Sequence, residues 1–330
     1  MTAIIDRRLS VAPMMDRTDR HCRYFHRLLA PRALLYTEMV HVGAVLHGNP
    51  ERHLFLDDRE RPVALQLGGS EPGHLSRAAA IGVERGYDEI NLNCGCPSPR
   101  VQRGRFGACL MAEPEHVAAC IAAIVAAVPS GIPVTVKCRI GIDDSEEFEF
   151  LSRFVAVVAA AGCRTFVIHA RKAWLNGLSP KQNREVPPLR HEIVHRLKRT
   201  YPELEVVLNG GLRSPSAASA QLRHVDGVMV GREAYENPWM LTTLQAELFG
   251  TTAPAFSRAD IVEAMAGYLE HQTRQGVPMR AVTRHMLGLF NGLPGARAWR
   301  RQLSAADGSE GPALLRSAAG LIAGDGSLAA

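Results

Sequence analysis

One stretch of the chain concentrates residues that could do chemistry. Asn91-Leu92-Asn93-Cys94-Gly95-Cys96-Pro97-Ser98-Pro99 leads into a loop that carries Arg100, Arg103 and Arg105 and meets no acidic residue before Glu113. Cys96 is therefore a thiol just beyond an apolar run, beside the amide Asn93 and among positive charges. That setting suits a reactive sulfur with a lowered pKa, able to give up or take a proton near neutrality. The competing reading is a small buried hydrophobe, the usual fate of a free cysteine. Cys94 and Cys96 also invite a metal reading, but no second closely spaced pair completes a ligand set, so no metal is expected.

Other chemically capable side chains share this placement at the end of a short apolar run. They are Gln66, Lys137, Arg139, His169 and Arg171, followed by two glycine turns, Asn209-Gly210-Gly211 and Gly231-Arg232. Pro13-Met14-Met15 ends the first such run. The runs read as eight strands: 9–14, 34–40, 63–67, 89–92, 134–139, 165–170, 206–208 and 227–230. Helical patterns separate them, one opening near Ser145, whose hydroxyl is a candidate N-cap. Eight strand-helix units in about 250 residues are the arithmetic of a (β/α)8 TIM barrel. Near-continuous apolar strands fit a parallel sheet covered on both faces. A doubly wound open sheet would want G-x-G-x-x-G after its first strand, and none stands there.

In such a barrel the strand C-termini share one cavity, so an amide, a thiol, a lysine and a histidine would meet there. Glycine turns after the seventh and eighth strands leave backbone N–H groups bare, and Arg232 adds charge, which together read as a phosphate site. Flavin mononucleotide fits the remaining residues. Gln66 can bond the ring's polar edge, and Lys137 and His169 bring charge or donors to its carbonyl region. Lys137 could instead be an ion-pair partner or the Schiff-base lysine of a barrel aldolase.

The chain has 330 residues, a net charge of +5, 46% hydrophobic and 22% charged residues, ordinary for a globular protein. No run is long enough to span a membrane, and Met1 to Ser10 lacks a signal-peptide core, so a cytoplasmic location is expected. Seven cysteines without a secretory signal argue against disulfides. Residues 1–250 are expected to form the barrel. Beyond a Pro-containing break the pattern turns wholly helical, which makes 251–330 a small all-helical domain with a disordered end. Gln272 to Ala306 holds six arginines (Arg274, Arg280, Arg284, Arg297, Arg300, Arg301) and no acid, a candidate footprint for a polyanion.

Several of these motifs resemble the tRNA-dihydrouridine synthases. The resemblance runs from about Leu9 into the helical tail and stops near Asp307. It is carried by Ala12-Pro13-Met14-Met15-Asp16-Arg17-Thr18-Asp19, Gln66-Leu67-Gly68-Gly69, Asn91 to Pro97, Lys137-Cys138-Arg139, His169-Ala170-Arg171 and Asn209-Gly210-Gly211. Lys181-Gln182-Asn183-Arg184-Glu185, and Gly292 to Arg297 followed by Trp299-Arg300-Arg301, look like the A subfamily, whose substrate uridines lie in the tRNA D-loop, at positions 20 and 20a.

The resemblance implies a bound flavin mononucleotide, NADPH as reductant with NADH as the alternative, hydride transfer to uracil C6, and protonation of C5 by Cys96. A cofactor set of Pro13, Met14, Met15, Gln66, Lys137, His169, Asn209, Gly210, Gly211, Gly231 and Arg232 is expected on this basis. Asn93 would orient the base or its ribose. Arg139, Lys181, Asn183, Arg184, Arg297, Arg300 and Arg301 would hold the tRNA, with Arg100 and Arg103 near them. A monomer is the expected state, with an oligomer as the alternative. Two alternatives stay open: a flavin barrel acting on a free pyrimidine, which needs no arginine-rich tail, and a non-enzymatic RNA-binding protein, which needs no Lys137 or His169.

Overall fold

The computed structural model describes residues 5–250, 256–306 and 311–322. The expected junction at 250/251 and the expected disordered end from Gly324 lie at or in segments outside that set.

Among the described residues nine strands, all parallel, form one sheet: β1 (Leu9–Val11), β2 (Leu35–Tyr36), β3 (Val40–His41), β4 (Val63–Gly68), β5 (Glu89–Cys94), β6 (Val134–Arg139), β7 (Thr165–His169), β8 (Glu205–Asn209) and β9 (Gly227–Val230). Their order is β1-β9-β8-β7-β6-β5-β4-β2, with β3 pairing the end of β4. A bridge between Ser10 and Leu34 closes the circle, so the architecture is the eight-stranded barrel with alternating helices. The second expected strand, 34–40, is split into β2 and β3. Thr37 causes the break: its hydroxyl, rather than a backbone carbonyl, receives the N–H of Gln66.

The strand faces explain their near-continuous apolar reading. Outward side chains such as Leu65, Ile90, Leu92, Val136 and Phe166 pack under the helices with none of their surface exposed. Inward positions hold a small second core of Ala12, Leu34, Tyr36, Ala64, Val167, Val207 and Met229. Around that plug the interior is polar, and Arg7, Glu89, Gln66, Asn91, Thr135 and Asn209 are all buried. Such groups stay inside only because they satisfy one another.

The helix Arg20–Leu29 starts where Asp19 accepts the N–H of His21 and of Cys22. The helix Glu147–Ala160 begins at Glu146 with no side-chain cap, which corrects the expectation for Ser145. The Ser145 hydroxyl is taken by the N–H of Ile142 in the preceding loop.

The C-terminal region is helical, with Arg258–Arg274, Met279–Thr283, Ala296–Ala305 and Ala313–Ala319. Trp299 is fully buried at its centre, donates to the carbonyl of Met286 and meets Phe290 edge to face. Tyr268 stacks on Tyr24 of the barrel's first helix at 4.0 Å, and its hydroxyl lies 2.8 Å from His21 Nδ1. Aromatic stacking and a satisfied hydroxyl thus lock this region onto the barrel wall.

Candidate active site

Parallel register brings the expected residues together. Asn93 lies beside Lys137, Arg139 beside His169, and His169 beside Asn209. Each lies at or near the end of its strand on the same rim, and the rim surrounds a cavity of about 930 Å³. Pro13, Met14, Met15, Gln66, Gly210, Gly211, Gly231, Arg232 and Arg184 also line it, as does Cys96. That volume sits at the upper end of the range for small-molecule sites.

Cys96 follows a turn built by Asn93, whose Oδ1 accepts the N–H of Gly95 at 3.1 Å and of Cys96 at 3.0 Å. Asn93 therefore seats the cysteine, and only its amide nitrogen side is left to face a ligand. Gln102 fastens the loop from the other side, donating to Pro97 O and to Leu175 O. Burial pushes the Cys96 thiol up, against the pull of the Ser98 N–H and of Arg139, Arg184 and Lys137. The expected near-neutral thiol is thus corrected: desolvation outweighs the surrounding cations, and the group stays protonated.

Lys137 donates to Asn209 Oδ1 at 3.0 Å, and Asn209 Nδ2 donates to Met229 O. Both polar ends of Asn209 are thereby used in aiming the lysine across the cavity. Burial brings the Lys137 ammonium down to about 8, with repulsion from Arg139 next in importance. Burial, reinforced by Arg139 and Lys137, pushes His169 well below the ordinary histidine range. His169 accordingly offers a neutral ring and no positive charge, one of the two roles open at the level of sequence.

Two expected tRNA contacts have other work. Arg139 is buried and donates to Gly95 O, Lys172 O and Asn183 O, tying the Cys96 loop to the long loop after β7. Asn183 has no exposed surface; its Oδ1 receives the Trp174 N–H, and its Nδ2 donates to Trp174 O and Leu178 O. It shapes the loop and presents nothing to solvent. Its neighbours Lys181 and Arg184 are exposed, Arg184 at the wall of the cavity. Arg232 is likewise committed, pairing with Glu185 at 2.8 Å.

The glycine turn after β8 lines the same cavity, and its geometry fixes both residues. Gly210 and Gly211 adopt φ values of 114° and 74°. An added Cβ would stand 2.7 Å from His169 Cδ2 and 2.3 Å from Leu189 Cδ1 respectively, so both the backbone and the space require glycine. A flavin nucleotide fits this set: an amide at Gln66, a lysine, a neutral histidine and a glycine-lined end.

The sequence pattern does not single out Arg17, Arg213 or Tyr235, which also line the cavity, nor the short helix Arg232–Glu236. Arg213 stands two residues past Gly211 and is open to the same strand-end argument. The helix is too short to carry a periodic signal. Among the six tail arginines, Arg274 pairs with Glu270, Arg280 donates to Ser304 O and Ala306 O, and Arg284 pairs with Asp19. Arg300 bonds Asn291, whereas Arg297 and Arg301 are exposed. The acid-free stretch is thus partly neutralised by acids from elsewhere in the chain.

Among the described residues, no group of three or more His, Cys, Asp and Glu side chains could hold a metal ion, and no helix is long and apolar enough to cross a membrane. All seven cysteines are free thiols.

Comparison with known proteins places this cavity in a family. The family described as Dihydrouridine synthase (Dus) matches residues 10–319. A tRNA-dihydrouridine(20/20a) synthase of Shewanella oneidensis is 58% identical over 300 residues, covering 91% of this chain and 89% of its own length. Proteins of the same name from Vibrio parahaemolyticus and Xanthomonas campestris are 56% and 57% identical, each covering 90% of this chain and 90% and 88% of their own lengths. With its strand-end residues set around one cavity and its sequence matched almost from end to end, the chain belongs to the dihydrouridine synthase family.

Proposed function

We propose that this protein reduces the 5,6 double bond of uracil in the D-loop of tRNA, at positions 20 and 20a; its relatives carry the name tRNA-dihydrouridine(20/20a) synthase. The observation that carries the reading is Cys96, a thiol kept protonated by burial at the rim of a cavity that also holds Lys137, His169 and a glycine-lined end. Bound flavin mononucleotide would supply a hydride to uracil C6, and NADPH would restore it.

Saturating one end of a double bond conjugated to a carbonyl leaves enolate-like charge that an acid must quench. Cys96 gives its proton to C5. Arg139, Arg184, Lys137 and the Ser98 N–H then hold the thiolate that remains. Lys137, aimed by Asn209, and the neutral ring of His169 would hold the flavin's polar edge. Gly210, Gly211 and Gly231 would take its phosphate.

A uridine stacked inside RNA is out of reach of this cavity, so the base must turn outward to enter. Arg184 and Lys181 beside the mouth, with Arg297 and Arg301 on the helical region, would hold the strand around it. Residues 251–330 thereby serve as the tRNA-holding part of a cytoplasmic, monomeric enzyme.

The test is direct. The purified protein should be yellow and release flavin mononucleotide on denaturation. With NADPH it should form dihydrouridine in unmodified tRNA, mapped to positions 20 and 20a. Equal turnover on free uridine would favour the small-molecule alternative, and a colourless protein that cannot be reconstituted would remove the flavin reading.

A further inference from the structure

Inside the barrel a single file of hydrogen bonds runs from its closed end to the turn that carries Cys96. At the closed end, Arg7 donates through Nε and Nη2 to Glu89 Oε2. The other oxygen, Oε1, accepts from Tyr36 Oη at 2.8 Å and Thr135 Oγ1 at 2.6 Å. Burial, with Glu89 beside it, raises the Tyr36 hydroxyl well above its ordinary range, so Tyr36 stays a donor.

Thr135 has one proton and gives it to Glu89, so toward Asn91 it can show only a lone pair. It accepts from Asn91 Nδ2 at 2.8 Å. Asn91 Oδ1 then accepts from Gln66 Nε2, Gln66 Oε1 from Asn93 Nδ2, each at 2.8 Å. Asn93 Oδ1 ends the file on the N–H groups of Gly95 and Cys96. The two ends cannot change roles: a carboxylate facing Arg7 only accepts, and a backbone N–H only donates. Each end independently demands the same direction for the three amides between them, and every link obeys it. Glu89 and Asn93 stand four positions apart on β5, about 13 Å of strand rise.

We propose that Glu89 and Thr135, at the barrel end remote from the cavity, are positioning residues that hold Asn93, and through it Cys96, in the orientation needed to deliver a proton. A closed-end carboxylate would otherwise be a stability element. Here the file connects it to the reacting end without a gap. The same direction fixes what the cavity floor offers, since the unused hydrogens of Gln66 and Asn93 are amide N–H donors. The consequence for turnover rests on the reaction proposed above; the seating of Cys96 does not.

The deciding variants are Thr135→Val, which cuts the file but keeps shape and the Arg7–Glu89 pair, and Thr135→Ser, which keeps the hydroxyl. Deuterium exchange read on the peptide spanning residues 93–98 reports the Gly95 and Cys96 amides without any turnover. Exchange there should quicken in Thr135→Val, stay at the parent level in Thr135→Ser, and stay unchanged in the helices of both. Turnover on tRNA should fall about tenfold in Thr135→Val with KM held within about twofold, because a seating error acts on the chemical step. Should Thr135→Val fold poorly, Thr135→Ala makes the same cut with less bulk and is judged by the same readouts.

Parent-like exchange at residues 93–98 would overturn the proposal, as would quickening spread evenly over the barrel, which marks a role in stability alone. If the parent itself shows no turnover on tRNA, the reaction assignment fails while the exchange comparison still decides this one.

Discussion

Nε2 of the buried His285 lies 3.0 Å from Asp19 Oδ1, although the two residues are 266 positions apart. The same carboxylate accepts from Arg284 and caps the barrel's first helix through the N–H groups of His21 and Cys22. One acidic side chain beside the motif Pro13-Met14-Met15 thus ties the helical region to the rim of the cavity. Burial works against its charge, but His285, Arg284 and the Cys22 N–H together hold Asp19 well below the ordinary carboxylate range.

A depressed folded-state pKa contributes stability that is present above the unfolded value and is lost as pH falls. Asp19→Asn should therefore cost about 2 kcal/mol at pH 7, the scale of a charge-assisted bond plus a cap. The difference from the parent should shrink as pH drops below about 4, where the unfolded carboxyl takes up its proton. Urea unfolding at pH 7 and pH 3 measures both; a gap that stays constant with pH would exclude the ionic account.

Cys96→Ala should leave flavin binding and its reduction by NADPH intact, because neither uses the thiol. Turnover on tRNA should fall by roughly two to four orders of magnitude, the range for a lost general acid. Stopped-flow absorbance of the two half-reactions separates these, and near-parent turnover would place the acid elsewhere.

The pH profile follows from the direction of the Cys96 shift. An acid must be protonated to act, and burial raises this thiol above its ordinary value of 9.0. The rate of the uracil-reducing half-reaction should accordingly show no loss between pH 7 and 9 that Cys96 causes. A decline centred near 7 that disappears in Cys96→Ser would contradict the burial argument.

Lys137 titrates lower, at about 8. It holds its charge below that pH and loses it above, so any attraction for an anionic ligand must weaken as pH rises through 8. Flavin mononucleotide affinity, followed by fluorescence quenching, should drop over this interval in the parent and be flat in Lys137→Met. A parallel drop in both would assign the titration to another group.

For tRNA binding, Arg297 and Arg301 are exposed members of the tail set, whereas Arg274, Arg280, Arg284 and Arg300 are tied to partners within the protein. Replacing Arg297 and Arg301 with Ala should weaken tRNA binding and flatten the slope of log K against log salt by about 0.7 to 0.9 for each phosphate no longer held. Filter binding at several salt concentrations tests it; an unchanged slope would mean a solvated face worth little.

Much of this site can be read without coordinates. Parallel strands must end on one rim, so Gln66, Asn93, Lys137, His169 and Asn209, each at or near the end of an apolar run, had to share a cavity once eight such runs were counted. Spacing and type suffice there because strand periodicity is local. The tail's arginines were equally visible, but not their partners: Asp19 and Glu270 lie outside the acid-free stretch, and a charge count over a window cannot see them.

What the tertiary structure alone decided is the balance of burial against charge. In sequence, Cys96 stands among arginines and reads as an acidic thiol; in the folded chain, desolvation dominates and the sulfur keeps its proton. Asn183 and Arg139 look like free polar groups until the loop after β7 folds over Arg139 and its carbonyls claim that guanidinium. Glu89 is one acid at the start of a strand until the barrel closes. Only closure brings Arg7, Tyr36 and Thr135 around it, because which groups face inward together depends on register between strands far apart in the chain.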